Sequence, residues 1–274
     1  KRVYYDVVPL EEYVLPDCAS HDKTDMEVAL FLGNGRHIAL YGFGKPRGCV
    51  QILIDYHNGH RQWILSDENW SVADGPIQEN CLFNGEVYDS RVALGRGKLS
   101  AAEVVEGYPL HAAAMPPIVV DARIPASRMW LTPQGYLYDF GQNFSGFVEL
   151  RTIQPSGTSI TLRFAENITN EGLLNPASNR QAEAMDTCIC NGRLVVWHPV
   201  STYHGFRYVL LSGYRGVPSL DTVTGLFIHT RTQSAADFVC SDESIQKVHT
   251  AILWGIRSNM MGIPTDSPQR DERQ

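Results

Sequence analysis

Val50-Gln51-Ile52-Leu53-Ile54-Asp55-Tyr56, then His57-Asn58-Gly59-His60, then Gln62-Trp63-Ile64-Leu65-Ser66 is the stretch that decides the fold class. Its apolar arms suit half-buried strands, and Asn-Gly between two such runs is the strongest short hairpin signal. The pattern predicts a hairpin with a type I′ turn centred on Asn58-Gly59, because both central positions of that turn need φ > 0. Runs of the same character predict further strands over residues 27–32, 118–120, 135–140, 146–153, 159–165, 187–190, 206–212 and 223–230. Turns such as Pro155-Ser156-Gly157 separate them. Short strands at this spacing argue for β-sandwiches.

Between Gly107 and Pro117 small residues and prolines interrupt the alternation, which places a domain boundary there. The expectation is a mainly β chain: one β-sandwich over 1–110, incomplete at its start, and a second over 111–237. After Cys240 the period changes. Ser241 or Asp242 can cap a helix N-terminus, and Ile245, Val248, Ile252, Ile256 and Met260 then recur at spacings of three and four. This predicts an amphipathic helix of about five turns that ends before Gly262 and Pro264. Residues 238–274 therefore read as the opening of a helical domain.

The chain has 274 residues, 43% of them hydrophobic, enough for buried cores and too apolar for general disorder. Lys plus Arg number 23 against 30 Asp plus Glu, a net charge of −7 that disfavours nucleic acid and anionic membrane as partners. No run approaches the roughly 20 apolar residues of a membrane span, so the chain reads as soluble. Lys1 opens it without an apolar signal core, and Arg270-Asp271-Glu272-Arg273-Gln274 closes it in a charge cluster, the expectation for a segment of a longer polypeptide. The six cysteines are dispersed and read as buried thiols; the one-residue gap of Cys188-Ile-Cys190 does not match structural zinc.

Pro264-Thr265-Asp266-Ser267-Pro268-Gln269-Arg270-Asp271-Glu272-Arg273 packs three carboxylates and two guanidiniums into one loop. Carboxylates accept hydrogen bonds from neighbouring sugar hydroxyls, arginine donates in a planar fork, and close like charges can keep one carboxyl protonated as an acid. By pattern alone a solvated surface loop explains the string as well. It resembles the Pro-Thr-Asp-Cys-Pro-Gln-Arg-Asp-Glu-Arg signature of bacterial α-L-rhamnosidases, glycoside hydrolase family 78, with Ser267 in place of the usual Cys. Ser66-Asp67-Glu68-Asn69-Trp70, Asn84-Gly85-Glu86-Val87-Tyr88-Asp89, Tyr138-Asp139-Phe140-Gly141-Gln142-Asn143, Tyr203-His204-Gly205-Phe206-Arg207-Tyr208 and Cys240-Ser241-Asp242 resemble other parts of that family in the same order.

The resemblance implies β-sandwich domains leading into a six-hairpin α/α barrel, and hydrolysis of terminal α-L-rhamnosides with inversion. It places the general acid on Glu272 and sugar-binding or supporting roles on Asp266, Arg270 and Asp271, with a base further downstream and no metal needed for catalysis. To stay protonated, Glu272 needs burial and the charges of Asp266 and Asp271 to outweigh Arg270 and Arg273. Without the rest of the barrel the segment is expected to be inactive.

The resemblance also implies an accessory sugar site, with calcium in some members, on the first sandwich. Candidates there are Asn80, Asn84, Glu86 and Asp89, although polar residues of turns and strand edges are the more ordinary reading; Gly35-Arg36 lacks the aromatic common after the second Gly. The expected partner is a rhamnose-containing glycoside or polysaccharide, and the setting bacterial, cytoplasmic or exported. A non-catalytic carbohydrate-binding β-sandwich is the alternative.

Overall fold

Gln51–Asp55 and Arg61–Leu65 pair antiparallel, with Leu53 opposite Trp63, so the predicted hairpin forms. Its turn differs from the expectation. Gly59 N–H donates to Tyr56 O and Tyr56 N–H to His60 O, both at 2.9 Å. Of the Asn-Gly pair only Gly59 is left-handed, with φ +82°. Asn58 contributes its side chain instead, Oδ1 accepting from His60 N–H at 2.9 Å. An Asx contact within a longer reversal replaces the type I′ turn.

The computed structural model describes residues 3–5, 30–33, 47–56, 58–93, 99–105, 110–112 and 115–270. Residues 1–32, 47–72 and 99–114 form one of two compact units. Its described ladders are the hairpin, Ser71–Val72 against Ser100–Ala101, and a parallel pair of Val3–Tyr5 with Leu110–Ala112. Of the predicted strand 27–32, residues 27–29 lie outside the described residues and 30–32 are irregular.

Among the described residues the second unit, 33–46, 73–98 and 115–274, holds a ten-stranded sheet and one α-helix. The strands are β1 (Ile77–Cys81), β2 (Gly85–Asp89), β3 (Ile118–Pro125), β4 (Arg128–Thr132), β5 (Gly135–Ile153), β6 (Ser159–Ala165), β7 (Met185–Ile189), β8 (Leu194–Trp197), β9 (His204–Ser212) and β10 (Val223–Thr230). Their order is β1-β2-β7-β6-β9-β5-β10-β3, and β4 and β8 also pair with β5. All contacts are antiparallel except β2 with β7, where Val87 faces Thr187. Strands β1 and β2 thus join this sheet although they precede residue 110.

β5 explains how one sheet encloses a core. The two strands predicted over 135–140 and 146–153 are one strand of 19 residues. Its first part pairs with β9 as far as Gly146, and from Gly146 it pairs with β10. Between Asp139 and Phe144 the register shifts: five residues of β5 span only two of β9, from Tyr208 to Phe206. Gly141, at φ +78°, lets the chain bulge there. The inner face carries the core, where Phe206 meets Phe144 at 4.6 Å and Phe164 at 4.9 Å between centroids. Cys188 and Cys190 are part of it; burial pushes both thiols up, so neither is a ready thiolate ligand.

Helix α1 runs Glu243–Ser258, about four and a half turns and slightly shorter than predicted. Asp242 is its N-cap, Oδ1 accepting from Ser244 N–H at 2.8 Å and Ile245 N–H at 3.3 Å. Removing that oxygen in Asp242→Ala should lower unfolding free energy by about 1 kcal/mol, with Asp242→Ser recovering most of it. Urea unfolding of the three proteins checks this, and equal midpoints for Ala and Asp would refute it. Trp254 docks the helix, its ring 4.8 Å from Phe227. The apolar stripe points away: Ile245, Val248, Ile252 and Ile256 are all more than half exposed.

Candidate active site

Beyond α1 the backbone doubles back on itself. Asn259 caps the helix C-terminus, and Met260–Met261 pairs with Ile263–Pro264 around Gly262, whose φ is +79°. The last turn is therefore replaced by a miniature hairpin, because Gly262 takes a left-handed backbone and Pro264 cannot continue a helix. Three contacts then fix the loop that carries the charged signature. Gly262 N–H donates to Thr230 Oγ1 at the end of β10, at 2.6 Å. Thr265 N–H donates to Asn259 O at 2.7 Å. Pro268 and Gln269 rest on Gly205 in β9.

Within the loop, Asp266 is exposed and Arg270 half-buried, with Arg270 Nη2 3.8 Å from Asp266 Oδ2. Ser267, at the position where the resemblance has Cys, places Oγ 3.4 Å from the same carboxylate oxygen. The structure thus brings Asp266 and Arg270 together as an acceptor and a donor on one rim. Asp271 and Glu272 lie outside the described residues. The loop separates two clefts. One, ≈600 Å³, is bounded by the bulge residues Gln142 and Asn143, by Glu166 and by Trp254. The other, ≈650 Å³, is more apolar and includes Phe147, Tyr203, Met261 and Arg270.

Two motifs upstream form the floor of this region. Asp139, buried on β5, accepts from Arg207 Nε at 2.8 Å, Arg207 Nη2 at 3.1 Å, Arg128 Nε at 3.0 Å and Gly141 N–H at 2.7 Å. Burial alone would raise its carboxyl, but these donors outweigh that and hold it at about 2. The bulge that presents Gln142 and Asn143 is tied down by this cluster. His204 is likewise internal: Nε2 lies 3.2 Å from both carboxylate oxygens of buried Asp186, and its ring stacks on Phe164 at 4.2 Å. Arg207 and His204 therefore act on the sheet. Their partners Asp139 and Asp186 lie 68 and 18 residues away in the sequence.

The four candidates for an accessory site are placed differently. Glu86 is buried, Oε2 accepting from Val200 and Ser201 N–H, both at 3.1 Å. Burial pushes its carboxyl up against the pull of those N–H groups, with Asp186 adding to the rise. Asp89 is clamped by Arg91, with Nη2 at 2.7 Å and Nε at 2.9 Å, and hydrogen bonds from Arg91 lower its carboxyl. Asn84 sits at the β1–β2 turn, its backbone O accepting from Met185 N–H at 2.9 Å, and Asn80 lies opposite Glu86 across the hairpin. Among the described residues no group of three His, Cys, Asp or Glu is placed to hold a metal.

Among the described residues no helix is long and apolar enough to cross a membrane. The α-L-rhamnosidase N-terminal domain model matches residues 25–118, the bacterial α-L-rhamnosidase concanavalin-like domain model 130–229, and the bacterial α-L-rhamnosidase six-hairpin glycosidase domain model 233–274. An α-L-rhamnosidase of Streptomyces avermitilis is 31% identical over 287 residues, covering 100% of this chain and 28% of that protein. The structure of α-L-rhamnosidase from Dictyoglumus thermophilum superposes with a TM-score of 0.83 at 41% identity, over 88% of this chain and 29% of that one. The Streptomyces avermitilis enzyme complexed with L-rhamnose gives 0.77 at 33% identity, over 81% and 23%. The chain spans less than a third of the length of these relatives. Matched in order by three domain models of one enzyme family and sharing the fold of its solved members, the chain belongs to the bacterial α-L-rhamnosidases.

Proposed function

We propose that this chain contributes the β-domains and the acid-bearing loop of an inverting glycoside hydrolase that releases terminal α-L-rhamnose from glycosides or polysaccharides. The observation that carries the reading is the loop 264–273, which bears the family's acid signature within the segment matched by the six-hairpin model. Its described part is held against the sheet, with Gly262 just before it bonded to Thr230 and Pro268-Gln269 against Gly205. The outward apolar stripe of α1 supports continuation into further helices, since such a face is normally buried.

In this reading Asp266 and Arg270 hold sugar hydroxyls, Asp271 supports them, and Glu272 delivers a proton to the glycosidic oxygen as its bond to the anomeric carbon breaks. Water attacks the opposite face of that carbon while a carboxylate elsewhere in the six-hairpin domain takes its proton. An acid and base separated by roughly 6.5–9.5 Å leave room for that water. No step in this reading requires a metal.

The product of the complete reading frame should hydrolyse an aryl α-L-rhamnoside, with the inverted anomer appearing first by NMR, whereas residues 1–274 alone should show no turnover. Saturable rhamnose binding by the complete product without turnover would overturn the reading in favour of a carbohydrate-binding protein. Turnover by residues 1–274 alone would remove the need for a second carboxylate outside them.

A further inference from the structure

We propose that Gly205 is a positioning residue: its missing side chain makes the seat on which Pro268-Gln269 rests, and this seat sets where the proton donor three residues further on is held. The inference rests on the reading of Glu272 as general acid. A Cβ at Gly205 would lie 2.9 Å from Gln269 N, 2.9 Å from Pro268 Cγ and 3.1 Å from Gln269 Cβ. Two of these are a backbone atom and a proline ring, which cannot swing aside as a flexible side-chain end would.

Nothing in its own backbone requires glycine. Gly205 is not among the residues with positive φ, and it pairs in register with Ser145 on β5. Its lack of a side chain therefore serves the approach of another segment. The strand beneath is packed on both sides of Gly205: His204 is held between Asp186 and the Phe164 ring, and Phe206 is fully buried among Phe140, Phe144 and Phe164. Of the contacts at Gly262, Thr265 and Pro268-Gln269, this one stands nearest in sequence to Glu272. Catalytic groups need positioning to within about half an ångström, and strands supply a more precise platform than loops do.

Gly205→Ala must push the loop off its seat, and the expected signature is selective. An acid moved off the glycosidic oxygen penalises aglycones that need protonation and spares those that leave as stable anions. In the complete reading-frame product, Gly205→Ala should lower kcat on methyl α-L-rhamnoside on the order of tenfold or more, because displacements of this size cost that much in positioned catalysis. On a dinitrophenyl α-L-rhamnoside the loss should stay below about threefold, since that leaving group hardly draws on general-acid help. Gly225→Ala is the structural control. Its Cβ would meet the Phe144 ring at 2.6 Å and no loop atom, so its losses should be equal on both substrates.

Should Gly205→Ala fail to fold, Pro268→Ala removes the ring from the other side of the seat and should show the same selectivity. Equal losses on the two aglycones, or none, in the folded Gly205 or Pro268 variant overturn the positioning role. Glu272→Gln assayed alongside separates the two ideas, because undiminished turnover there removes the acid assignment itself.

Discussion

Glu272→Gln in the product of the complete reading frame should lower kcat on alkyl or glycosyl rhamnosides by about 10²–10⁴-fold, the range that a positioned general acid supplies. Gln keeps the size and hydrogen-bonding reach of Glu but has no acidic proton to give the departing oxygen. The change should fall on kcat with KM little altered, because in the proposed reading other residues of the loop hold the sugar and the lost interaction belongs to the transition state. Aryl rhamnosides with strongly electron-withdrawing substituents should retain most of their rate, and the alkaline limb of their pH–rate profile should disappear with the group that titrates there. Steady-state kinetics on a series of leaving groups checks both points. A uniform loss across the series, or a loss confined to KM, would place Glu272 in binding and leave proton donation to another residue.

Asp266 and Arg270, four residues apart in the charged string, come together on the loop, whereas the roles proposed for that loop come from the resemblance and not from the pattern. Local turn and capping chemistry was legible in the sequence. The hairpin at Asn58-Gly59 and the cap at Asp242 formed, and β6 and β10 occupy the stretches 159–165 and 223–230 that alternation marked. What failed to show was anything set by a distant partner. Gly141 and its neighbours looked like a break between two strands, yet β5 runs through them, because the bulge bends a strand that changes neighbours from β9 to β10. Residue type alone did not say where Glu86 and Asp89 point: Glu86 Oε2 meets the Val200 and Ser201 N–H groups, and Asp89 meets Arg91. Gly205 sat inside a motif without a reason to be glycine until Gln269, 64 positions later, was seen against it.

The bulge that shapes one wall of the active region depends on Asp139, and Asp139→Ala should destabilise the chain by about 3 kcal/mol, near the lower end of the cost of breaking a buried ion pair. The lower end applies because Arg128 and Arg207, at 62% and 36% side-chain exposure, regain water when the carboxylate is lost, while the Gly141 N–H does not easily do so. The apparent Tm should fall by roughly 6–12 °C for a domain of this size. Arg128→Ala, which removes only the more exposed partner, should cost less than about 1 kcal/mol. The pH dependence carries a definite sign. The Asp139 carboxyl is held at about 2 in the folded chain, below its ordinary value of 3.8. A depressed folded value means that the stabilisation is present in full above the unfolded value and is lost as pH falls through the window from about 4 to about 2. The gap in urea midpoint between the parent chain and Asp139→Ala should therefore be constant from neutral pH to about pH 5 and narrow below pH 4. A gap that persists unchanged at pH 3, or a variant as stable as the parent at pH 7, would mean that the bulge is held by packing of Phe140 and Phe144 and not by the charge beneath it.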